Sequence, residues 1–262
     1  MDDVQIAIIG GTGVYDPDIL EDKKEINVET PFGSISAPII VGNYENRKIA
    51  ILLRHGPGHK IAPHNINYRA NIYALKQLGV THIISPSAVG SLQEDYHPGE
   101  LVFVDQFIDR THSRHSTFYD KDKVCHISVA DPVCPDMRNI GIESAEELGL
   151  KHHKTGTYVC IQGPRFSTRA ESLLFKSWNG HVIGMTMVPE AVLAREAEIC
   201  YMNIATVTDY DSFKEEAVSL SDVLEIMKEN TENVKNLIKN LIPKLSEERS
   251  CACSKALNNA LI

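Results

Sequence analysis

At 262 residues the chain is long enough for one large domain with a substantial core, or for two small ones. A net charge of −9, with no basic stripe or lysine-arginine block, argues against nucleic acid as the main partner. No apolar run approaches the length of a membrane span, and the acidic start Met1-Asp2-Asp3 is not a signal peptide, so a cytoplasmic protein without a membrane partner is expected.

The first element is an apolar strand, Ile6-Ala7-Ile8-Ile9, that breaks into Gly10-Gly11-Thr12-Gly13. Glycines let a backbone turn tightly and approach a ligand closely, and the amides of such a loop can line an anion site. A dinucleotide fingerprint fails here, because the third glycine position is Asp16, and no phosphate-binding G-x-x-x-x-G-K-[ST] is present. Short β-like runs follow at 26–29, 39–41 and 48–53. The last ends in Arg54-His55-Gly56, and loops at the carboxyl ends of strands are where open α/β sheets bind ligands. Residues 67–78 carry helical spacing and stop at Gly79.

A second strand of the opening type, 82–87, runs into Ala88-Val89-Gly90-Ser91, and another is expected at 101–104. Residues 105–119 are polar and rich in histidine, and read as a long functional or interface loop. A helix is expected at 135–148 and a strand at 155–161. Thr168-Arg169-Ala170-Glu171 is a capping box that opens the next helix. A short strand at 181–184, a helix at 189–198 with Pro189 in its first turn, and a strand at 199–207 come next. Ser221 starts a long amphipathic helix ending near Pro243, and the polar tail from Ser246 is expected to be peripheral. Strands and helices alternate without an internal repeat or linker. The expected fold is α/β, a single domain with a central mixed β-sheet flanked by helices, occupying 1–245 with a tail at 246–262.

Strand ends supply the chemistry-bearing residues: Thr12, Arg54, His55, Ser87, Phe166, Met185, Thr186 and Asp209. Hydroxyls, a histidine and an arginine fork are what a small oxyanion needs. Each residue alone reads as structural, and only the shared placement after strands groups them. In Thr208-Asp209-Tyr210-Asp211, residues two apart face the same side of an extended chain, so both carboxylates could meet one ligand. Two carboxylates sharing a site do not both ionise easily, and one kept protonated can act as a general acid. The plain alternative is a polar turn with solvated aspartates.

Six cysteines stand at 125, 134, 160, 200, 251 and 253. The C-x-C pair at 251 and 253 is too close for a relaxed zinc knuckle and lacks a second nearby pair. Its alternatives are free thiols, or disulfides of the kind found inside hyperthermophiles.

Taken together, Gly10-Gly11-Thr12-Gly13, Arg54-His55-Gly56, Pro63-His64-Asn65-Ile66-Asn67-Tyr68 and Ser87-Ala88-Val89-Gly90-Ser91-Leu92 form one set, in order along the chain. Asp105-Gln106-Phe107-Ile108-Asp109-Arg110, residues 163–171, Met185-Thr186 with Pro189-Glu190, and Thr208-Asp209-Tyr210-Asp211 complete it. The set resembles the S-methyl-5'-thioadenosine phosphorylases of the trimeric purine nucleoside phosphorylase superfamily, and the C-x-C tail resembles archaeal, heat-adapted members.

That resemblance implies phosphorolysis of methylthioadenosine to adenine and methylthioribose 1-phosphate, in purine and methionine salvage. No metal and no cofactor are implied, inorganic phosphate being a co-substrate. Phosphate would meet Thr12, Arg54, His55, Ser87, Ala88 and Thr186. The nucleoside would lie along Val89, Gly90, Phe166, Met185 and Thr208, with Asp209 and Asp211 as the catalytic pair. Leu220, Val223 and Leu224 would wall the methylthio group. His126 would close the pocket of a neighbouring subunit in a homotrimer or a hexamer of two trimers. Gly184 and Val89 depart from some members, which have asparagine and cysteine there. A broader purine nucleoside or methylthioinosine phosphorylase is the alternative activity. A noncatalytic purine-binding or redox-sensing oligomer is the alternative of a different class.

Overall fold

Period-two burial organises the centre of the molecule. In β1 (Ile6–Gly10), Ala7 and Ile9 face one hydrophobic cluster while Ile6 and Ile8 face another. β4 (Arg47–Leu53) repeats the division, with Ala50 and Leu52 on the first side and Ile49 and Ile51 on the second. Both faces of the sheet are therefore covered, as an apolar run without polar alternation requires. The computed structural model describes residues 4–11, 19–214 and 220–262, leaving aside the side chains of 220–225, 227 and 229.

The remaining elements are β2 (Glu21–Ile26), β3 (Ile39–Tyr44), α1 (Tyr68–Gln77), β5 (His82–Ser91), β6 (Leu101–Phe103), β7 (Gln106–Arg110) and α2 (Pro135–Glu147). After them come β8 (His152–His153), β9 (Thr157–Ile161), α3 (Arg169–Ser177), β10 (Val182–Gly184), α4 (Met187–Glu196), β11 (Cys200–Tyr210) and α5 (Leu220–Leu241). Among the described residues the strands form one mixed sheet in the order β2-β3-β4-β1-β5-β10-β9-β7, with β11 branching from β5 to carry β6 and β8. β1 runs parallel to β4 and β5, and β5 parallel to β11, so their carboxyl ends point the same way. Helices α1 and α4 cover the first hydrophobic cluster, and α2 and α5 the second. No helix among the described residues is long and apolar enough to cross a membrane.

The expected mixed α/β fold is found, with local differences. Gly79 ends α1 at φ +92°, a conformation that suits glycine, and the Thr168–Glu171 capping box opens α3 as expected. The strand expected at 26–29 lies earlier, at β2. That segment, Glu-Asp-Lys-Lys-Glu-Ile, is exposed along nearly its whole length and pairs on one side only, so it carries no apolar alternation. The expected loop at 105–119 begins with β7, which adds to β9 at the sheet edge. α4 starts at Met187 rather than Pro189, with Val188 extended inside it (φ −112°, ψ 129°).

The tail is not peripheral. Cys253 and Ala260 are buried, and Arg249 Nη1 donates to the backbone oxygen of Glu198 at 2.6 Å. Residues 260–262 pair antiparallel with 124–126.

Candidate active site

The carboxyl ends of β1, β4, β5, β10 and β11 surround a cavity of about 420 Å³. Its lining brings together Arg54, His55, Ser87, Ala88, Val89 and Gly90 with Phe166, Met185, Thr186, Thr208, Asp209 and Asp211. Residues as far apart as Arg54 and Asp211 thus meet because they lie near the carboxyl ends of strands of one sheet. His59, Pro63, Ile161, Ser167 and Ile183 also line it and were given no site role from sequence. Thr12 lies outside the described residues, as do the side chains of Leu220, Val223 and Leu224. His126 is exposed and does not line its own chain's cavity.

Arg54 is buried, and its guanidinium is largely committed within the protein. Nε and Nη2 meet Glu190 Oε2 and Oε1 at 2.6 and 2.9 Å, and Nη2 also reaches Ser85 Oγ and Ile9 O at 2.7 and 3.2 Å. The fork faces Glu190, and Nη1, 3.7 Å from where a Cβ on Gly11 would stand, is the nitrogen on the glycine-loop side. Burial opposes the arginine charge, but Glu190 more than offsets this and holds the group above its ordinary range.

Glu190 also accepts from Ser85 Oγ at 2.6 Å and Tyr201 OH at 3.0 Å, so four donors surround one buried carboxylate. Sequence reading noted Glu190 in a motif but gave it no role. Its signal was a carboxylate within the apolar run Met187-Val188-Pro189-Glu190-Ala191-Val192-Leu193.

Ser87 is oriented by Asn203, whose Nδ2 donates to Ser87 Oγ at 3.1 Å and to Ser85 O at 2.9 Å. Thr186 lines the cavity from the N-cap of α4, with no capping bond from its side chain, and its N–H donates to Tyr158 OH at 3.5 Å. His55 places Nδ1 2.9 Å from Ile61 O, an acceptor only, so Nδ1 carries the proton. Burial, then the Arg54 charge, push His55 down to about 4, and its ring stacks on His59 at 4.0 Å.

The opposite end of the cavity is acidic. Between Val207 and Asp209 the β11–β5 register shifts by one residue, a bulge that sets Asp209 beside Gly90. A Cβ on Gly90 would stand 3.1 Å from Asp209 Oδ2, so the glycine admits the carboxylate. Thr208 Oγ1 donates to Asp209 Oδ1 at 2.7 Å. Burial pushes Asp209 up to about 6 against that bond, with Asp211 adding to the rise. Burial also raises Asp211. One cavity therefore holds donors suited to an anion at one end and a carboxyl group poised to carry a proton at the other.

Arg114 fixes the wall between these ends. Its Nη1 donates to Met185 O at 2.9 Å and Val188 O at 2.6 Å, Nη2 to Gln162 O at 2.7 Å, and Nε to Gln162 Oε1 at 3.2 Å. The extended Val188 makes that carbonyl available, since a continuous helix would have used it. Gly184 answers a departure noted from sequence: a Cβ there would lie 2.0 Å from Tyr158 OH, so a buried tyrosine occupies the space of a side chain at 184.

The sequence matches the Phosphorylase superfamily over residues 5–243. It is 55% identical over 262 residues to the S-methyl-5'-thioadenosine phosphorylase of Thermofilum pendens, covering 100% of both chains. Among solved structures it resembles a methylthioadenosine phosphorylase from an antarctic soil metagenomic library, with TM-score 0.95, 43% identity and coverage of 100% of this chain and 93% of that one. It also resembles the S12T mutant of the adenosine/methylthioadenosine phosphorylase of Schistosoma mansoni in complex with methylthioadenosine, with TM-score 0.91, 38% identity and coverage of 97% and 95%.

Proposed function

The chain belongs to the phosphorylase superfamily, and from that premise we propose that it is a pentosyltransferase converting S-methyl-5'-thioadenosine and phosphate to adenine and 5-methylthioribose 1-phosphate in nucleoside salvage. The observation that carries this reading is Asp209, a carboxyl group raised to about 6 at the base end of a cavity whose other end gathers Arg54, His55, Ser87 and Thr186.

Cleavage of an N-glycosidic bond develops positive charge on the sugar and negative charge on the purine. Phosphate at the donor end stabilises the first and is the nucleophile. Protonated Asp209 gives its proton to the purine ring nitrogen as the bond breaks, and Asp211 keeps that proton in place by adding to the negative field. An Asp209 oxygen accepts from a 6-amino group, whereas a 6-oxo group would set acceptor against acceptor. Phe166 packs on the base and Met185 on the ribose. Thr12 completes the phosphate cradle, and Leu220, Val223 and Leu224 wall the thioether.

The reaction needs no metal or cofactor. Residues 1–245 act as the phosphorylase domain in a cytoplasmic homotrimer or hexamer of two trimers, in which His126 closes the neighbouring cavity. Its exposure and its place outside its own cavity support that role.

The purified protein should release adenine from methylthioadenosine only when phosphate is present, and should turn over inosine and methylthioinosine more slowly. Phosphate-independent release, or no turnover of any of the three, overturns the reading. Sedimentation velocity tests the assembly.

A further inference from the structure

One buried carboxylate plays no part in the reaction described above. Glu196 is the last residue of α4 and only 2% exposed. Burial disfavours a carboxylate, and the last turn of a helix, where the macrodipole is negative, disfavours it again. Glu190, in the first turn of the same helix, is already committed to Arg54, so Glu196 answers to something else. A group held against two local preferences points to a contact that the wider structure requires.

That contact is the stretch 117–125. Glu196 Oε2 accepts from the Phe118 N–H at 2.8 Å, and the Thr117 hydroxyl and the Cys125 thiol face the same carboxylate. Burial raises Glu196, and these three donors each oppose the rise. Phe118 and Cys125 are seven positions apart, a span of about 24 Å when extended, yet both meet one carboxyl group. The stretch is therefore an arch with both feet on Glu196. Its first foot is also packed, with the Phe118 ring 5.3 Å from Phe32 and 5.9 Å from Tyr73. Its second foot leads directly into the exposed His126.

We propose that Glu196 is the positioning residue for His126, fixing the arch so that His126 closes the nucleoside end of the neighbouring subunit's cavity. This positioning rests on the assembly and reaction proposed above. Glu196 touches no substrate. It works through the arch, so its effect falls on the neighbour and not on its own cavity. Without it the Phe118 N–H loses its acceptor, the two feet part, and His126 no longer holds one place. Nucleoside binding then weakens, whereas the phosphate end, set by the neighbour's own pairing of Arg54 with Glu190, is untouched. One helix thus serves two cavities, through Glu190 at its start and Glu196 at its end.

The test is phosphorolysis of methylthioadenosine by the full chain and its variants. Glu196→Leu, close in size and without an acceptor, should raise KM for the nucleoside about fivefold or more and move KM for phosphate less than about twofold. Glu196→Gln keeps an oxygen for the Phe118 N–H and should stay within about twofold of the parent. Thr117→Val combined with Cys125→Val removes two donors from the arch side, leaves α4 intact, and should raise the nucleoside KM about threefold. Mixed oligomers fix the direction. Co-expressed Glu196→Leu and Asp209→Asn subunits, purified through two different tags, should regain a low-KM component, because a working Asp209 then lies beside an intact arch of its neighbour. Parent subunits mixed with subunits carrying both substitutions should instead gain a high-KM component. An unchanged nucleoside KM in Glu196→Leu, an equal loss in Glu196→Gln, or mixed oligomers without the low-KM component overturns the proposal. If Glu196→Leu does not fold, an unchanged nucleoside KM in the Thr117→Val, Cys125→Val variant overturns it, as does a parent that is monomeric and fully active. A parent that releases no adenine in the presence of phosphate is a separate result, which overturns the reaction and this positioning together.

Discussion

Arg54 and Glu190 form a two-point ion pair, only 1% and 2% exposed, directly beneath the donor end of the cavity. Removing one partner of such a pair leaves an uncompensated buried charge, at a cost of about 3–5 kcal/mol. Glu190→Gln should lower the melting temperature. It should also raise KM for phosphate by about tenfold or more, since a misplaced guanidinium loses a charge-assisted bond of about 1.5–3 kcal/mol. Steady-state kinetics with phosphate varied at saturating nucleoside checks this. An unchanged KM for phosphate would separate Glu190 from the anion site.

The raised Asp209 makes the pH dependence specific. The acid form dominates below about 6 in the free protein, so kcat/KM for the nucleoside should fall with rising pH above that value. Asp209→Asn should depress turnover strongly, flatten this limb and shift relative preference toward 6-oxopurines. For stability the sign follows from a folded pKa of about 6 against 3.8 unfolded. The native state is favoured while Asp209 is protonated, and that contribution is lost as pH rises from about 4 through about 6. Asp209→Asn should therefore be more stabilising at pH 8 than at pH 4, by about 2–3 kcal/mol. Urea denaturation at both values measures the difference.

Gly184→Ala should be poorly tolerated, because its new methyl group meets the buried Tyr158 ring at 2.0 Å from OH and 2.6 Å from Cζ. Overpacking of this kind costs about 1–3 kcal/mol. Thermal melts of Gly184→Ala, Tyr158→Ala and the double variant should show the double losing less than the sum of the singles.

Arg114 touches the active-site wall from behind, through backbone oxygens of Met185, Val188 and Gln162. Arg114→Ala should raise KM for the nucleoside about tenfold while moving KM for phosphate less. Lysine cannot reproduce the fork, so Arg114→Lys should restore little, whereas added guanidinium should partly rescue Arg114→Ala. Equal changes in both KM values would instead mark a general loss of folding.

What was readable from sequence was whatever a strand end exposes locally. Arg54-His55, Ser87–Gly90, Met185-Thr186 and Thr208–Asp211 each follow an apolar run, and the parallel register gathers them. What was not readable depends on pairing between distant residues. Glu190 has meaning only against Arg54, 136 positions away, and Asn203 only against Ser87, 116 positions away. β2 was misplaced because an exposed edge strand has no core to impose alternation on its side chains. The C-x-C tail looked isolated because Cys134 and Cys200 approach it only after α2 and β11 have packed.

The antiparallel pairing of the tail with 124–126 ties together parts of the molecule that otherwise share no element. His126 N donates to Ala260 O at 2.8 Å, and Val124 and Ile262 exchange two backbone bonds at 3.2 and 3.0 Å. Six residues, 254–259, separate Cys253 from the first of these contacts. The segment proposed to close a neighbour's pocket is thus leashed to Cys253 by a short length of backbone that bypasses the central sheet. Truncation before Ala260 would remove all three of these backbone bonds and release the segment around His126 from the tail.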